Sequence, residues 1–137
     1  MRFVPLCELE LRYTDVEFVD YGAGGQYYGH LEGTLEGNGL RGSLRLVNLP
    51  PKRPDDVNLP TLRGILTTDD GAKIFVTMDG LSLIRPEDQA RVYTATLAFR
   101  TGDPRYAWLN TVFAVQEGVL EMPTARGRAY RCEPTID

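Results

Sequence analysis

The sequence is poor in the residues that build metal and redox sites. It contains two cysteines and one histidine among 137 residues. A structural zinc ion takes four ligands, most of them cysteine or histidine, so these three residues cannot supply such a site. Cys7 and Cys132 lie in the first and last apolar segments, and in a reducing compartment we expect both to be free thiols. A disulfide or redox pair between them is the alternative.

Long apolar runs and an excess of positive charge are also missing. No apolar run approaches the roughly 18 residues of a membrane span, so we expect none. The segment Met1–Glu8 reaches a carboxylate before the apolar region of a signal peptide could form, which predicts a cytoplasmic location. The formal net charge is −4, whereas nonspecific nucleic-acid binding requires a basic surface. We therefore expect neither a membrane nor a nucleic acid as partner.

Helical periodicity is missing too, and alternation of period two takes its place. In Leu6–Tyr13 the residues Cys7, Leu9 and Leu11 fall on one face, with charged residues between them. Such alternation predicts a strand with one buried face. Glu36-Gly-Asn-Gly39 separates two further apolar segments and is a strong hairpin signal.

Later segments follow the same pattern of short strands and turns. Asp69-Asp-Gly71 predicts a second tight hairpin, and Arg91–Arg100 predicts a strand. Asp103-Pro104 predicts a single helical turn, after which Leu109–Val115 is expected to extend as a strand. Together these features predict an all-β fold without a long helix. We expect residues 1–137 to form one antiparallel, closed or nearly closed β-barrel of about eight strands.

Three segments together resemble one known family. They are Glu32-Gly-Thr-Leu-Glu-Gly37 with the following Leu40-Arg-Gly42, Thr68-Asp-Asp-Gly-Ala72, and Thr101-Gly-Asp-Pro-Arg-Tyr-Ala-Trp-Leu-Asn110. Their combination, from roughly Leu6 to Phe113, is similar to the family catalogued as domain of unknown function 3237. The resemblance implies a small antiparallel β-barrel of unassigned function. Members of that family look like accessory proteins in the degradation or biosynthesis of small molecules.

The chain departs from the family pattern at several positions. Leu46-Val-Asn-Leu-Pro-Pro51 stands where a Pro-Gly-Gly-x-Asp-Trp segment is usual, and Thr61 stands where an aspartate is usual. Asn110-Thr111 replaces an Asn-Arg pair, and Tyr93-Thr94 replaces Phe-Arg. These replacements predict that this protein binds a different molecule or has altered chemistry.

The segment Gln26–Leu35 carries the richest set of chemical groups. Tyr28, His30 and Glu32 project to one side of this predicted strand. If that side lines the barrel lumen, His30 is the general base or acid, Glu32 its partner and Tyr28 a donor to a developing oxyanion. Alternatively the side faces solvent and His30 is an ordinary surface histidine.

Four further residues are candidates for ligand binding. Tyr106, Trp108 and Asn110 are expected to share a strand face at a barrel mouth, where a ring and an amide can orient a planar ligand. Alternatively Trp108 plugs the barrel end and Asn110 caps the turn. Arg63 lies in the middle of a strand and pairs either with a ligand carboxylate or with an acidic residue of the protein.

Motifs for nucleophilic catalysis, phosphate binding and metal binding are missing. No Ser-His-Asp order occurs, and Gly22-Ala-Gly-Gly25 precedes a strand where a phosphate loop would precede a helix. Asp69 and Asp70 lie in a predicted hairpin turn, which favours turn hydrogen bonding over the alternative of metal binding. We therefore predict no metal and no cofactor.

The barrel, the polar side chains and the missing motifs favour one class of function. We expect a protein that binds a small, partly apolar organic molecule and acts on it without a cofactor. The reaction would be an isomerisation, cyclisation, elimination or hydration by acid–base catalysis. The alternatives are a non-catalytic carrier or sensor using the same lumen, and an oligomeric interaction module with a filled lumen. A homodimer or higher homo-oligomer is compatible with all of them.

Overall fold

The computed structural model describes residues 1–137 as an eight-stranded antiparallel barrel. Each strand pairs with its neighbour in sequence, and pairing of the first strand with the last closes the ring. The strands are β1 (Arg2–Asp20), β2 (Gly25–Gly37), β3 (Leu40–Asn48), β4 (Thr61–Thr68), β5 (Lys73–Ile84), β6 (Arg91–Arg100), β7 (Ala114–Glu121) and β8 (Thr124–Glu133). The predicted all-β barrel is confirmed. No helix has the length and apolar character needed to cross a membrane.

Alternation along the strands fills the barrel interior with aliphatic side chains. Cys7, Leu9 and Leu11 of β1 are between 3% and 6% exposed, as their spacing predicts. Leu44, Leu66 and other aliphatic side chains from the facing strands meet them in one continuous core cluster. An eight-stranded barrel is just wide enough for side chains to fill it, and here they occupy most of the lumen.

The segment Leu109–Phe113 is not part of a strand, contrary to the prediction. A 3₁₀ turn spans Ala107–Thr111, and β7 begins only at Ala114. Leu109 is fully buried, and Val112, three residues on, packs against the same core. Residues three apart lie on one side of a 3₁₀ turn, which explains how this apolar segment buries itself without extending.

The two ends of the barrel differ in how they are covered. At one end the hairpin turn Asp69–Gly71 and the 3₁₀ turn Ala107–Thr111 cover the core, and we call this the closed end. At the other end lie four connections, residues 21–24, 49–60, 85–90 and 122–123, and we call this the open end. Any ligand that enters the lumen has to pass the open end.

The first two strands extend beyond the barrel at the open end. β8 pairs with β1 only from Arg2 to Arg12, so residues 14–20 of β1 continue as a two-stranded arm with the start of β2. The rings of Phe18 and Tyr27 pack on one another there, with centroids 4.8 Å apart. The arm forms one wall of the entrance to the lumen, because Val16 and Tyr27 both line it.

Candidate ligand-binding site at the open end

The polar side of β2 faces solvent and not the lumen. Leu31 and Leu35 of the same strand are 3% and 1% exposed and belong to the core. Because successive side chains point to opposite faces, Tyr28, His30 and Glu32 lie on the outer wall. The inward orientation on which their predicted catalytic roles depended is wrong, and the solvent-facing alternative holds.

On the outer wall His30 has only weak partners. Its Nδ1 lies 3.9 Å from Oδ2 of Asp15, and the Tyr28 ring meets it edge-on with centroids 4.9 Å apart. The histidine and aspartate side chains are 45% and 59% exposed, and ion pairs so open to water contribute little. His30, Glu32 and Arg63 line one shallow depression of about 400 Å³ on this wall.

Arg63 makes the internal ion pair that was one of its two predicted roles. Its guanidinium donates to both carboxylate oxygens of Asp79, at 3.0 and 3.1 Å. Two parallel hydrogen bonds of this kind match the planar geometry of a guanidinium. Arg63 is therefore already engaged on the outer wall, away from the lumen.

Tyr106, Trp108 and Asn110 lie at the closed end and do not share a strand face, because the chain forms a 3₁₀ turn there. Asn110 holds the preceding loop: its Oδ1 accepts from the Thr101 amide at 2.9 Å, and its Nδ2 donates to the Thr101 carbonyl at 2.8 Å. Trp108 is 41% exposed, and Leu109 supplies the buried plug instead. This group covers the closed end of the barrel.

A cavity of about 90 Å³ remains inside the barrel at the open end. Its walls are mainly apolar, with contributions from Leu11, Leu31, Leu62, Met78, Ala95, Leu120 and Ala125. Its polar wall groups come from Tyr13, Asn48, Asn58, Ser82, Tyr93 and Gln116. Apolar walls with a few placed polar groups are the usual composition of a small-molecule site.

A wider vestibule of about 230 Å³ leads from this cavity to solvent. Five residues line both spaces, so the two are continuous: Tyr13, Asn48, Pro50, Asn58 and Leu120. Arg91 also lines the vestibule. The cavity and vestibule together are the candidate site.

Tyr93 places an unpartnered hydroxyl group in the barrel interior. Its Oη is buried and makes no hydrogen bond. Its ring end lies against Gly118 and Gly127, which pair across β7 and β8, and a Cβ on either glycine would collide with the hydroxyl. Burial raises the pKa of Tyr93 to about 12, so the hydroxyl stays protonated and is a donor without an acceptor.

Tyr13 provides a second phenol group, held by Asn48. Asn48 Nδ2 donates to Tyr13 Oη at 2.9 Å, and Asn48 Oδ1 accepts from the Thr61 amide at 2.9 Å. These two bonds fix the amide, and the phenol oxygen uses an acceptor position. Burial raises the pKa of Tyr13, and the bond from Asn48 opposes this, so the phenol keeps a proton to donate.

None of the site residues around the cavity was predicted as such from the sequence. Three of them nevertheless lie in segments that depart from the family pattern, Asn48 and Pro50 in Leu46–Pro51 and Tyr93 in Tyr93-Thr94. Tyr13 continues the buried face of β1, where an aromatic residue signals core packing and not a binding site. A departure from a family pattern at an inward position was thus the only sequence signal for this site.

Solved structures with the same architecture come from several organisms. A β-barrel-like protein from Acinetobacter baumannii AYE has a TM-score of 0.88 at 22% identity, with 96% of each chain covered. A protein of unknown function from Clostridium acetobutylicum ATCC 824 has a TM-score of 0.85 at 17% identity, and the match covers 97% of this chain and 100% of that protein. An enzyme from Penicillium herquei has a TM-score of 0.67 at 19% identity, and the match covers 97% of this chain and 98% of that protein. At these identities the likeness shows the fold alone.

No curated protein matches the chain. A family model matches residues 2–132, which span the barrel from the start of β1 almost to the end of β8. Its description is "Protein of unknown function (DUF3237)". The match is longer than the stretch on which the resemblance was noted, and it includes every strand. The chain belongs to the DUF3237 family of proteins of unknown function.

Proposed function

We propose that the protein binds a small, partly apolar organic molecule at the open end and acts on it without a cofactor, by acid–base catalysis. The observation that carries this proposal is the buried, unpartnered hydroxyl of Tyr93. Leaving a buried donor unsatisfied costs roughly 1–3 kcal/mol. A bound molecule with an oxygen acceptor would remove that cost, which is a reason for the site to retain the hydroxyl.

The chemistry follows from two phenol donors in a poorly hydrated space. Isomerisation, cyclisation and elimination next to a carbonyl group all build negative charge on its oxygen. Donors aimed at such an oxygen stabilise the transition state more in a water-poor site than in water. We assign that role to Tyr93, with Tyr13 as the second donor. Burial raises the pKa of both phenols, which suits proton donors and not bases.

The proton acceptor in this proposal does not come from the cavity wall. Neither a carboxylate nor a histidine lines the cavity. Water or a basic group of the substrate therefore takes the proton that is removed. The Penicillium herquei relative is described as an enzyme, which supports only that this fold can carry catalysis.

A carrier or sensor is the second candidate, and the same wall composition favours it. A cavity without a base is sufficient for binding. A carrier would bind a ligand through Tyr93 and Tyr13 and release it unchanged. The two functions therefore differ in turnover and not in where the ligand lies.

Deuterium exchange tests the proposal without knowledge of the natural substrate. The probe is 2-tetralone, an apolar ketone whose α-protons exchange with D₂O when its enolate is stabilised. We expect the protein to accelerate exchange measured by NMR, and Tyr93→Phe to lower the acceleration roughly a hundredfold. Tyr21→Phe is the matched control, because Tyr21 is 62% exposed and lines neither cavity nor vestibule.

Each outcome of this experiment separates the candidates. Binding of the ketone without faster exchange would favour the carrier. If His30→Gln abolishes exchange and Tyr93→Phe leaves the exchange rate unchanged, catalysis occurs on the outer wall, which contradicts the proposal. Homo-oligomer formation stays a prediction that light scattering measures, and the arm with its exposed Val16 and Val19 is the surface to examine first.

A further inference from the structure

We propose that the ligand is a small organic carboxylic acid. Its carboxylate pairs with Arg91 in the vestibule, and the rest of the molecule, with the oxygen that accepts from Tyr93, lies in the cavity. This inference rests on the proposed function, because it names the class of molecule that the same site takes.

The charge of the site supports an anionic ligand. Arg91 is the only charged side chain that lines either the cavity or the vestibule. The chain as a whole carries a formal net charge of −4, so a positive charge at this entrance runs against the overall balance. A single positive charge in an otherwise neutral and largely apolar entrance favours a ligand that carries one negative charge.

The contacts of Arg91 leave that charge without a counterion. Its Nη2 donates to the Asp56 carbonyl at 3.0 Å, and its Nη1 lies 3.4 Å from both the carbonyl and Oγ of Ser82. No carboxylate lies within 4.0 Å of the guanidinium, because none of the ion pairs in the structure includes Arg91. Arg85, on the opposite side of the same β5–β6 connection, instead binds both oxygens of Asp88 at 2.9 and 2.6 Å.

These contacts also orient Arg91 before a ligand arrives. The carbonyl of Asp56 belongs to the connection 49–60, and Ser82 belongs to β5. A backbone bridge between Asn58 and Ser82 ties that connection to the strand. The arginine is therefore held between two linked elements, which reduces the entropy lost when it binds an anion.

The size of the site limits the acid. The cavity of about 90 Å³ is smaller than the ~150 Å³ engineered cavity that holds benzene, so a ring enters only in part. The remainder of the molecule lies in the vestibule of about 230 Å³, beside Arg91. A planar carboxylate matches the two parallel donors of one guanidinium, whereas a phosphate dianion leaves charge that one arginine does not neutralise.

Matched acids and amides test the proposal. The probes are phenylacetate and phenylacetamide, which share a body and differ in charge, with affinities measured by isothermal titration calorimetry. We expect the wild type to prefer the acid by roughly tenfold or more, the range of a charge-assisted hydrogen bond. Arg91→Gln should abolish this preference, because it weakens binding of the acid and leaves binding of the amide unchanged. Arg45→Gln, an exposed arginine of the outer wall without an ion pair, should retain it.

Two further measurements keep the proposal open to refutation. Arg91→Lys keeps a charge without the planar fork and should retain part of the preference. If Arg91→Gln does not fold, a salt titration of the wild type decides. Added salt should weaken binding of the acid and leave binding of the amide unchanged. Equal affinities for acid and amide in the wild type, or a preference that survives in Arg91→Gln, would overturn the inference.

The proposed function fails in a different way. If 2-tetralone binds and loses affinity in Tyr93→Phe, the site stands whatever the charge preference. If no neutral probe binds and the acid binds equally well to Tyr93→Phe and to Arg91→Gln, the open-end site itself is refuted.

Discussion

Tyr106 donates a hydrogen bond from its hydroxyl to Oδ1 of Asp70 at 2.8 Å, across 36 residues of sequence. This bond joins the two segments that contributed most to the family resemblance, the Thr-Asp-Asp-Gly turn and the Tyr-Ala-Trp-Leu-Asn string. Thr68 Oγ1 donates to the same oxygen at 2.6 Å, and Arg105 reaches Oδ2 at 3.1 Å. The motif residues thus assemble the closed end, far along the barrel from the candidate site.

We expect Tyr106→Phe to lower the melting temperature at pH 7 by a few degrees, because it removes a bond to a charged acceptor. Hydrogen bonds from Thr68 and Tyr106 hold the pKa of Asp70 below its usual 3.8. A lowered native pKa stabilises the fold above pH 3.8, and this contribution disappears as the pH falls through the native pKa.

Thermal melts at pH 7 and pH 3 measure both effects. The variant should lose less stability than the wild type between these two pH values. Tyr21→Phe is again the control. A Tyr106→Phe protein that melts like the wild type at pH 7 would show that the bond does not contribute to closure.

Leu109→Ala and Trp108→Ala should differ sharply although the residues are adjacent. Leu109 is fully buried, and its truncation should lower the free energy of unfolding by about 2–5 kcal/mol. Trp108 is 41% exposed, so its removal should have a much smaller effect. Urea unfolding measures stability, and titration with 2-tetralone should show equal affinity for Trp108→Ala and wild type. A loss of ligand affinity in Trp108→Ala would restore the binding role predicted from the sequence.

Gly127→Ala should disturb the candidate site by pushing Tyr93 aside. A Cβ at this position would collide with the Tyr93 hydroxyl and lie close to the Glu117 carbonyl. Overpacking of this kind typically costs about 1–3 kcal/mol, and the displaced hydroxyl should also lower the exchange rate of 2-tetralone. Gly102→Ala is the matched control, because nothing lies within 4 Å of a Cβ there. Unchanged exchange in a folded Gly127→Ala protein would argue against Tyr93 as the donor.

Ala125→Leu should fill the cavity without unfolding the barrel. Ala125 is 8% exposed and lines the cavity of about 90 Å³, so a larger side chain occupies space that a ligand would need. We expect 2-tetralone binding to be lost while the urea midpoint changes little or rises. Ala98→Leu adds the same atoms to the exposed side of β6 and should bind as the wild type does. Retained binding in Ala125→Leu would place the ligand elsewhere.

Cys7 should make the protein sensitive to alkaline pH. Burial raises the pKa of its thiol from 9.0 to about 12. A raised native pKa stabilises the fold fully below pH 9.0, and the contribution is lost as the pH rises from there toward 12. One proton changes stability by at most about 1.4 kcal/mol per pH unit.

Unfolding free energies between pH 8 and pH 11 test this expectation. Cys7→Ala should lose stability less steeply with pH than the wild type, while Cys132→Ala, on the neighbouring strand, should follow the wild type. Tyr13 and Tyr93 are present in all three proteins, so the difference isolates the Cys7 thiol. If the stability of Cys7→Ala and of the wild type falls in parallel with pH, the Cys7 thiol does not cause the alkaline sensitivity.

Local pattern was enough to predict the strands and most of the turns. Arg91–Arg100 is a strand with the predicted bounds, and the alternation of Leu6–Tyr13 places Cys7, Leu9 and Leu11 in the core. Period-two alternation and Gly-containing turns act over a few residues, so the chain carries this information locally. Leu109–Val115 was mispredicted because a short apolar segment suits a strand and a 3₁₀ turn equally well.

The site could not be predicted in the same way. β2 presents leucines and glycines on one side and polar groups on the other, and only packing against β1 and β3 decided that Leu31 and Leu35 face inward. Burial of leucine is favourable, whereas burial of unpaired His30 and Glu32 would leave polar groups without water or partners.

The sequence by itself determined an antiparallel barrel of about eight strands and its family. The tertiary structure alone decided which end is open and which residues meet there. Tyr13, Tyr93 and Arg91 come from β1 and β6, which do not pair with one another, and they share one space only because the ring closes. Alternation specifies the two faces of a strand, but long-range packing selects the side chains that leave a cavity between them.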